Sequence, residues 1–239
     1  MMKVLVTGHN GFIGSNVFLD WQETLGYVNV DGIDYPDDIA NFSGGDYDLV
    51  IHLAAYADIR ESLKEPKLYY ENNVVKAKKL FEWCRETNTR LLYASSSAVE
   101  EDYWENPYAM SKWVNEIMAP PNSVGMRFTT VYGSNSRPNM MYRMLEDKTA
   151  KYVTNHKRDW IHVKDVCRAI HYLASSDITG PVTIGTGKSV SVKALSKAMG
   201  MGHLPVVEDT PGERYDNRAD ITRLKSIGWF PTIDIFDTV

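Results

Sequence analysis

The sequence predicts an α/β protein with a mainly parallel, doubly wound sheet, and three observations carry that prediction. Short apolar runs alternate with segments of helical periodicity through the first 131 residues. The first of these runs passes through glycines directly into a helical segment, which is the join of a βα unit. At 239 residues, 44% hydrophobic and 24% charged, the chain can bury one large core and carries no compositional sign of disorder.

The elements follow in order. "KVLVT" at 3–7 is a β-branched run that stops at Gly8, and Phe12, Ile13, Val17, Phe18 and Trp21 then recur at helical spacing over 11–26. "YVNVDGID" (27–34) and "DLVIHLAA" (48–55) read as the second and third strands. Residues 69–88 read as one long helix, and "RLLYASSS" (90–97) as a strand. "PYAMSKWVNEIM" (107–118) is the next helix and "SVGMRFTTV" (123–131) the next strand. Strands separated by helices run parallel and lie between two helical layers. Beyond Tyr132 the chain turns irregular, but 163–176 and "GPVTIG" (180–185) supply a helix and a strand able to return to the sheet. No linker or repeat divides the chain. The expected organisation is therefore interleaved: 1–132, with a return at about 160–186, forms one domain, and about 133–159 with 187–239 forms a smaller one.

A net charge of −5 leaves no basic excess to neutralise a phosphate backbone, so no nucleic-acid partner is expected. A single small anion needs only a few local donors and stays compatible with this balance. Cys84 and Cys167 lie in apolar or helical runs without a C-x-x-C partner, so they read as buried reduced thiols, and no metal site is expected. No stretch approaches 18 consecutive apolar residues and no signal peptide is evident, which predicts a cytoplasmic protein without a membrane span.

"GHNGFIG" puts Gly8, Gly11 and Gly14 between a strand and a helix. Lacking a Cβ, these positions permit a tight turn, close approach of backbone to a pyrophosphate and close helix-to-strand packing. The helix N-terminus adds free N–H groups and the positive end of a dipole. Asp34 closes the second strand twenty positions after Gly14, where a carboxylate accepts the adenosine ribose hydroxyls and repels a 2′-phosphate. NAD is thus preferred over NADP. Asp31 is the competing acid, though it falls inside the strand; for either, a solvated turn acid is the plainer alternative.

In "YAMSK", Tyr108 and Lys112 stand four apart on one helix face. Lowering a phenol from about 10 to near neutrality requires roughly 4 kcal/mol, a size that one ammonium about 4 Å away supplies at an effective dielectric near 20. With the positive nicotinamide beside it, Lys112 would make Tyr108 a proton acceptor. A surface tyrosine with a solvated lysine is the alternative for the pair alone. Ser95, Ser96 and Ser97 end a strand at the carboxyl edge of the sheet, where open α/β folds bind ligands, so a serine hydroxyl there can share the substrate oxygen with the tyrosine.

With these motifs in place the chain resembles the extended short-chain dehydrogenase/reductase family, in particular its nucleotide-sugar epimerases and dehydratases. "VTGHNGFIG", "VIHLAA", "SSSAV", "YAMSK", "MRFTTVYG", "RDWIHVKDV" and "IGTGKSVSV" occur in the family's order from Val6 to Val192. The resemblance implies a Rossmann-type domain with a small C-terminal sugar-nucleotide domain, tightly bound NAD and a catalytic set of Ser96 (or Ser97), Tyr108 and Lys112. It places the dinucleotide against Gly8, Asn10, Gly11, Phe12, Ile13, Gly14, Asp34, Leu53, Ala54, Ala55 and Asn73, together with Tyr108 and Lys112. Arg158 matches the arginine that grips the diphosphate. The implied activity is 4-epimerisation through a transient 4-keto sugar, with Tyr108 as base and a homodimer built on the helices near 66–87 and 107–118.

Family dehydratases follow the catalytic hydroxyl with an Asp–Glu pair, whereas Ser97 and Ala98 stand here, which disfavours dehydration. "HLAAYADIRES" and "MRFTTVYG" followed by "RPNM" most resemble the UDP-glucuronate 4-epimerase branch, which would set Arg60, Thr130 and Arg137 beside a UDP-sugar, with surface ion pairing the alternative for the arginines. The chain departs from the pattern in a short segment after Asp34, a short Ser96-to-Tyr108 connection, "VEE" in place of "VYG", and Thr210 where an arginine is frequent; Arg214 or Arg218 would compensate. A nucleotide-sugar reductase or dehydrogenase, or a catalytically weak NAD-binding regulator, are the alternative functions.

Overall fold

The structure, a computed structural model, describes residues 1–24, 28–208 and 213–239. Its strands are β1 (Met2–Thr7), β2 (Val28–Ile33), β3 (Leu49–His52), β4 (Arg90–Ser96), β5 (Ser123–Phe128), β6 (Thr130–Tyr132), β7 (Val153–Thr154), β8 (Lys157–Arg158), β9 (Trp160–His162), β10 (Gly180–Ile184), β11 (Val190–Ser191) and β12 (Val206–Val207). The helices are α1 (Phe12–Thr24), α2 (Ile59–Lys64), α3 (Pro66–Tyr70), α4 (Lys76–Thr87), α5 (Pro107–Met118), α6 (Met141–Glu146), α7 (Val163–Ala174), α8 (Val192–Ala198) and α9 (Thr222–Ser226). Six strands form a parallel sheet in the order β10-β5-β4-β3-β1-β2, the α/β architecture expected of a Rossmann-type fold.

The sheet's order fixes where a ligand can sit. From β1 the chain builds β2 on one flank and then crosses back to lay β3 on the other. That reversal opens a crevice beyond the carboxyl ends of β1 and β3. Alternation along the strands fills both faces: Val4, Val6, Leu49, Ile51 and Leu92 pack with Val17, Trp21 and the apolar face of α7, while Leu5, Val50, Leu91 and Tyr93 pack with Ala77, Leu80, Phe81 and Cys84 of α4. A third cluster, including Tyr132, Tyr142, Trp160 and Leu195, is built from the later chain.

Two elements differ from the expectations. Residues 123–131 are not one strand: Thr129 N–H bonds back to Ile184 O at 3.1 Å, and Thr130 N–H turns to Asp159 O at 3.0 Å, so β6 leaves the main sheet and pairs with β9. The long helix of 69–88 is interrupted by a π turn at Glu71–Val75 between α3 and α4. Its Asn73 side chain is the physical reason, since it faces inward and bonds Tyr56 N, Tyr56 O and Ser111 Oγ within 3.0 Å. The short segment after Asp34 makes only a 3-10 turn at Ile39–Asn41, capped by Asp38, and Ile39 and Phe42 fill the core against α4. Consequently β2 is the rim of the sheet.

Candidate active site

Backbone shape comes first. Gly8 has φ +74°, and a Cβ there would lie 2.6 Å from Ala54 N; one at Gly14 would lie 1.9 Å from Gly8 O. The turn therefore holds the start of α1 against β1 and β3 only because both residues are glycine. Asp34 lies at the tip of β2 with Oδ2 accepting from Asn10 N–H and Oδ1 from Tyr35 N–H, each at 2.8 Å. Its carboxylate thus stands over the glycine turn with lone pairs to spare. Asp31 is engaged elsewhere, accepting from Tyr47 Oη at 3.2 Å.

Next to this turn α5 begins. Asn106 caps it by accepting from Ala109 N–H at 2.7 Å and Pro107 occupies its first turn, so Tyr108 is presented at the helix start and Lys112 one turn further along. Ser96 and Tyr108 line the same cleft, and the Ser96 hydroxyl acts to lower the Tyr108 phenol and accepts from Ala98 N–H at 3.2 Å. Lys112 is buried; its Nζ donates to Ala94 O at 3.0 Å and stands 5.9 Å from the centre of the Tyr108 ring. Gly8, Gly11, Phe12, Ile13, Gly14, Leu53, Ala55, Ser96, Ser97, Tyr108 and Lys112 line one cleft of about 400 Å³, within the size range of small-molecule sites.

Electrostatics refine the expected tuning. Burial pushes the Lys112 ammonium down to about 7. Burial also raises the Tyr108 phenol above its ordinary 10, and the Ser96 hydrogen bond and the Arg137 charge oppose that rise. Arg137 is the cation that lowers Tyr108, while Lys112 Nζ is hydrogen-bonded to the Ala94 carbonyl. Under Lys112, His52 is held to about 3, chiefly by burial and secondarily by the lysine, and its Nδ1 lies 2.7 Å from Thr7 Oγ1.

The remaining expected residues fall into three groups. Thr130, Arg137, Arg158 and Arg214 line the same cleft. Arg137 donates to Ala57 O at 3.0 Å and, among the described residues, ion-pairs with no carboxylate. Arg158 bonds Glu213 Oε2 at 2.8 Å, Arg60 lies 3.2 Å from Glu213 Oε1, and Arg214 bonds Glu100 and Glu101. Arg60, Ala54 and Asn73 are not among the lining residues: Arg60 is exposed, Ala54 touches Gly8 through its backbone and Asn73 ties the 53–57 loop to α5. Arg218 is exposed and outside the cleft, and Thr210 lies outside the described residues.

Sequence reasoning missed Ala57, Ile59, Met140, Glu213 and Asn217 on the cleft wall. Asn217 is positioned by a buried hub: its Oδ1 accepts from Asp159 N–H at 2.7 Å and its Nδ2 donates to Thr130 Oγ1 at 3.1 Å. Asp159 in turn accepts from the N–H groups of Thr186, Gly187 and Ala219.

A glycine turn at the switch point of a parallel sheet, with a serine, a tyrosine and a lysine lining the same cleft, is the arrangement of a nucleotide-dependent enzyme of the short-chain dehydrogenase/reductase type. The chain matches the NAD dependent epimerase/dehydratase family over residues 4–185 and belongs to it. It is 28% identical over 304 aligned positions to an uncharacterised protein of Methanocaldococcus jannaschii, covering 98% of this chain and 92% of that one. Among solved structures it is similar to MoeE5 in complex with UDP-glucuronic acid and NAD, with 26% identity, TM-score 0.84, and coverage of 98% of this chain and 95% of the other. The fold also matches UDP-glucuronic acid 4-epimerase of Bacillus cereus in complex with UDP-glucuronic acid and NAD, at 24% identity, TM-score 0.86, and coverage of 99% and 96%. NAD is the cofactor of this family, and the tight turn that Gly8 and Gly14 permit at the start of α1 presents the free helix N–H groups that suit a pyrophosphate.

Proposed function

We propose that the protein is an NAD-dependent nucleotide-sugar 4-epimerase acting on a UDP-sugar, with UDP-glucuronate the favoured substrate. The observation that carries the reading is that Ser96, Tyr108 and Lys112 line the same cleft as the glycine turn. Tyr108 Oη takes the proton from the sugar C4 hydroxyl while Ser96 Oγ orients that oxygen. The glycine turn and Asp34 would hold NAD, which when bound would supply a reversible hydride acceptor at C4, so that no net oxidation results. Lys112 holds the ribose hydroxyls on the Tyr108 side, and Arg158 grips the diphosphate.

Two features favour this branch. Arg137, acting on Tyr108 and ion-paired to no described carboxylate, suits the C6 carboxylate of a uronic acid. Glu213 is the carboxylate among the described lining residues, and it is engaged by Arg60 and Arg158, which leaves no acid–base pair for dehydration. MoeE5 was solved with UDP-glucuronic acid and NAD, which supports the same ligand class for this chain. In this reading 133–159 and 187–239 form the nucleotide-sugar lobe, and two chains pair through α3, α4 and α5.

The test incubates the purified chain with UDP-glucuronate, UDP-glucose and UDP-N-acetylglucosamine and follows the products by NMR. Expected is formation of the C4 epimer without added dinucleotide, and a loss of about 10²–10⁴-fold in Tyr108→Phe. Net turnover of NAD(P)H would assign a reductase instead. NAD retention without epimerisation of any sugar would assign a regulator.

A further inference from the structure

We propose that Arg214 and Glu100 form a strap across the cleft that positions the catalytic serine turn, so that both are positioning residues and Arg214 is not a substrate ligand. The kinetic part rests on the epimerase reading; the structural part does not. Arg214 arrives from the C-terminal chain, with Nη1 donating to Ser97 O at 2.7 Å and Glu100 Oε2 at 2.9 Å, and Nη2 donating to Glu101 Oε1 at 3.0 Å. Its Nε is buried and meets no partner, while the three bonds its Nη atoms make all go to the serine turn and the two carboxylates that follow it. Its own backbone is held in turn, because Arg158 Nη1 donates to Arg214 O at 2.7 Å.

The target of the strap is informative. Ser97 follows Ser96 directly and opens the 3-10 turn Ser97–Val99; Glu100 N–H closes that turn onto the same Ser97 carbonyl at 3.1 Å. Glu100 is anchored from the sheet by Thr183 Oγ1 at 2.5 Å, with Arg127 3.9 Å away. Arg127 in its turn binds Glu116 through two bonds of 2.8 and 2.7 Å, and Glu116 Oε1 accepts from Ser95 Oγ at 2.6 Å. The serines at 95 and 97 are thus fixed on both sides of Ser96. With Tyr108 only twelve positions after Ser96, little chain is available to pack over the turn, and the ion network does that work instead. Displacing a positioned group by about 1 Å can cost on the order of 10²-fold in rate.

The experiment compares Glu100→Gln, Arg214→Lys and Thr183→Val with the unmodified full chain, using UDP-glucuronate turnover, calorimetric UDP affinity and hydrogen exchange of the 95–101 peptides. The expected result is kcat lowered by about 10- to 100-fold in the first two variants and less in the third, with KM and UDP affinity within about twofold and faster exchange at 97–100. The Glu100→Gln/Arg214→Lys double variant should be no slower than the slower single one, as coupled sites are not additive. A UDP affinity at least tenfold weaker in Arg214→Lys with kcat unchanged would overturn the strap, as would unaltered exchange in all three. If the unmodified chain turns over no sugar, the epimerase reading falls, while exchange and UDP affinity still decide the strap.

Discussion

At Lys112 an ammonium sits in the core with a single carbonyl as its hydrogen-bond partner among the described residues. Its folded value of about 7 lies below the ordinary 10.5, so as pH falls from 10.5 to 7 the unfolded chain takes up the proton first and stability is lost over that window, then stays constant below it. A difference of that size corresponds to about 5 kcal/mol. Lys112→Met is therefore expected to raise the melting temperature at pH 7, with a gain that shrinks towards pH 10.5, while turnover falls at least tenfold; thermal melts at both pH values check this. Arg137 acts on the neighbouring phenol with the opposite sign. Its removal in Arg137→Ala takes away a cation that lowers Tyr108, so the rising limb of the pH–rate profile is expected to move to higher pH, and Arg137→Lys should keep it in place.

Between one element and the next, the glycine turn is the most sensitive joint. In Gly14→Ala the new methyl would have to enter the Gly8 carbonyl, so dinucleotide is expected to be lost on purification, read as the absence of a nicotinamide signal after denaturation. This joint, like Ser96, Tyr108 and Lys112, was legible because strand, turn and helix signals are local in sequence. The break between β5 and β6 was not, since it is set by Thr129 and Thr130 bonding to Ile184 and Asp159, far along the chain. The π turn was equally hidden, because the Asn73 side chain bonds Tyr56 and Ser111, which lie 17 and 38 positions away in sequence. Glu213 and Asn217 reach the cleft only after the chain folds back by more than fifty residues onto Arg158 and Asp159. The pairing of Lys112 with the Ala94 carbonyl rather than the phenol likewise needed three dimensions.

Over the whole molecule, α3, α5 and the π turn leave Leu68, Tyr70, Val75 and Ile117 exposed, apolar area that a second copy would cover. A solution mass of two chains at micromolar concentration is the expected outcome of light scattering, and Ile117→Asp should halve it. The short segment after Asp34, which adds no strand beyond β2, has a different consequence at the rim of the sheet. There β2 ends the sheet with an open row of amides and carbonyls, the feature on which foreign polypeptides template fibrils. Val28–Ile33 interrupts its valines with Asn29, Asp31 and Gly32. A polar amide, a charge and a weak strand former thus guard the border against aggregation that a smoother, greasier ribbon would invite.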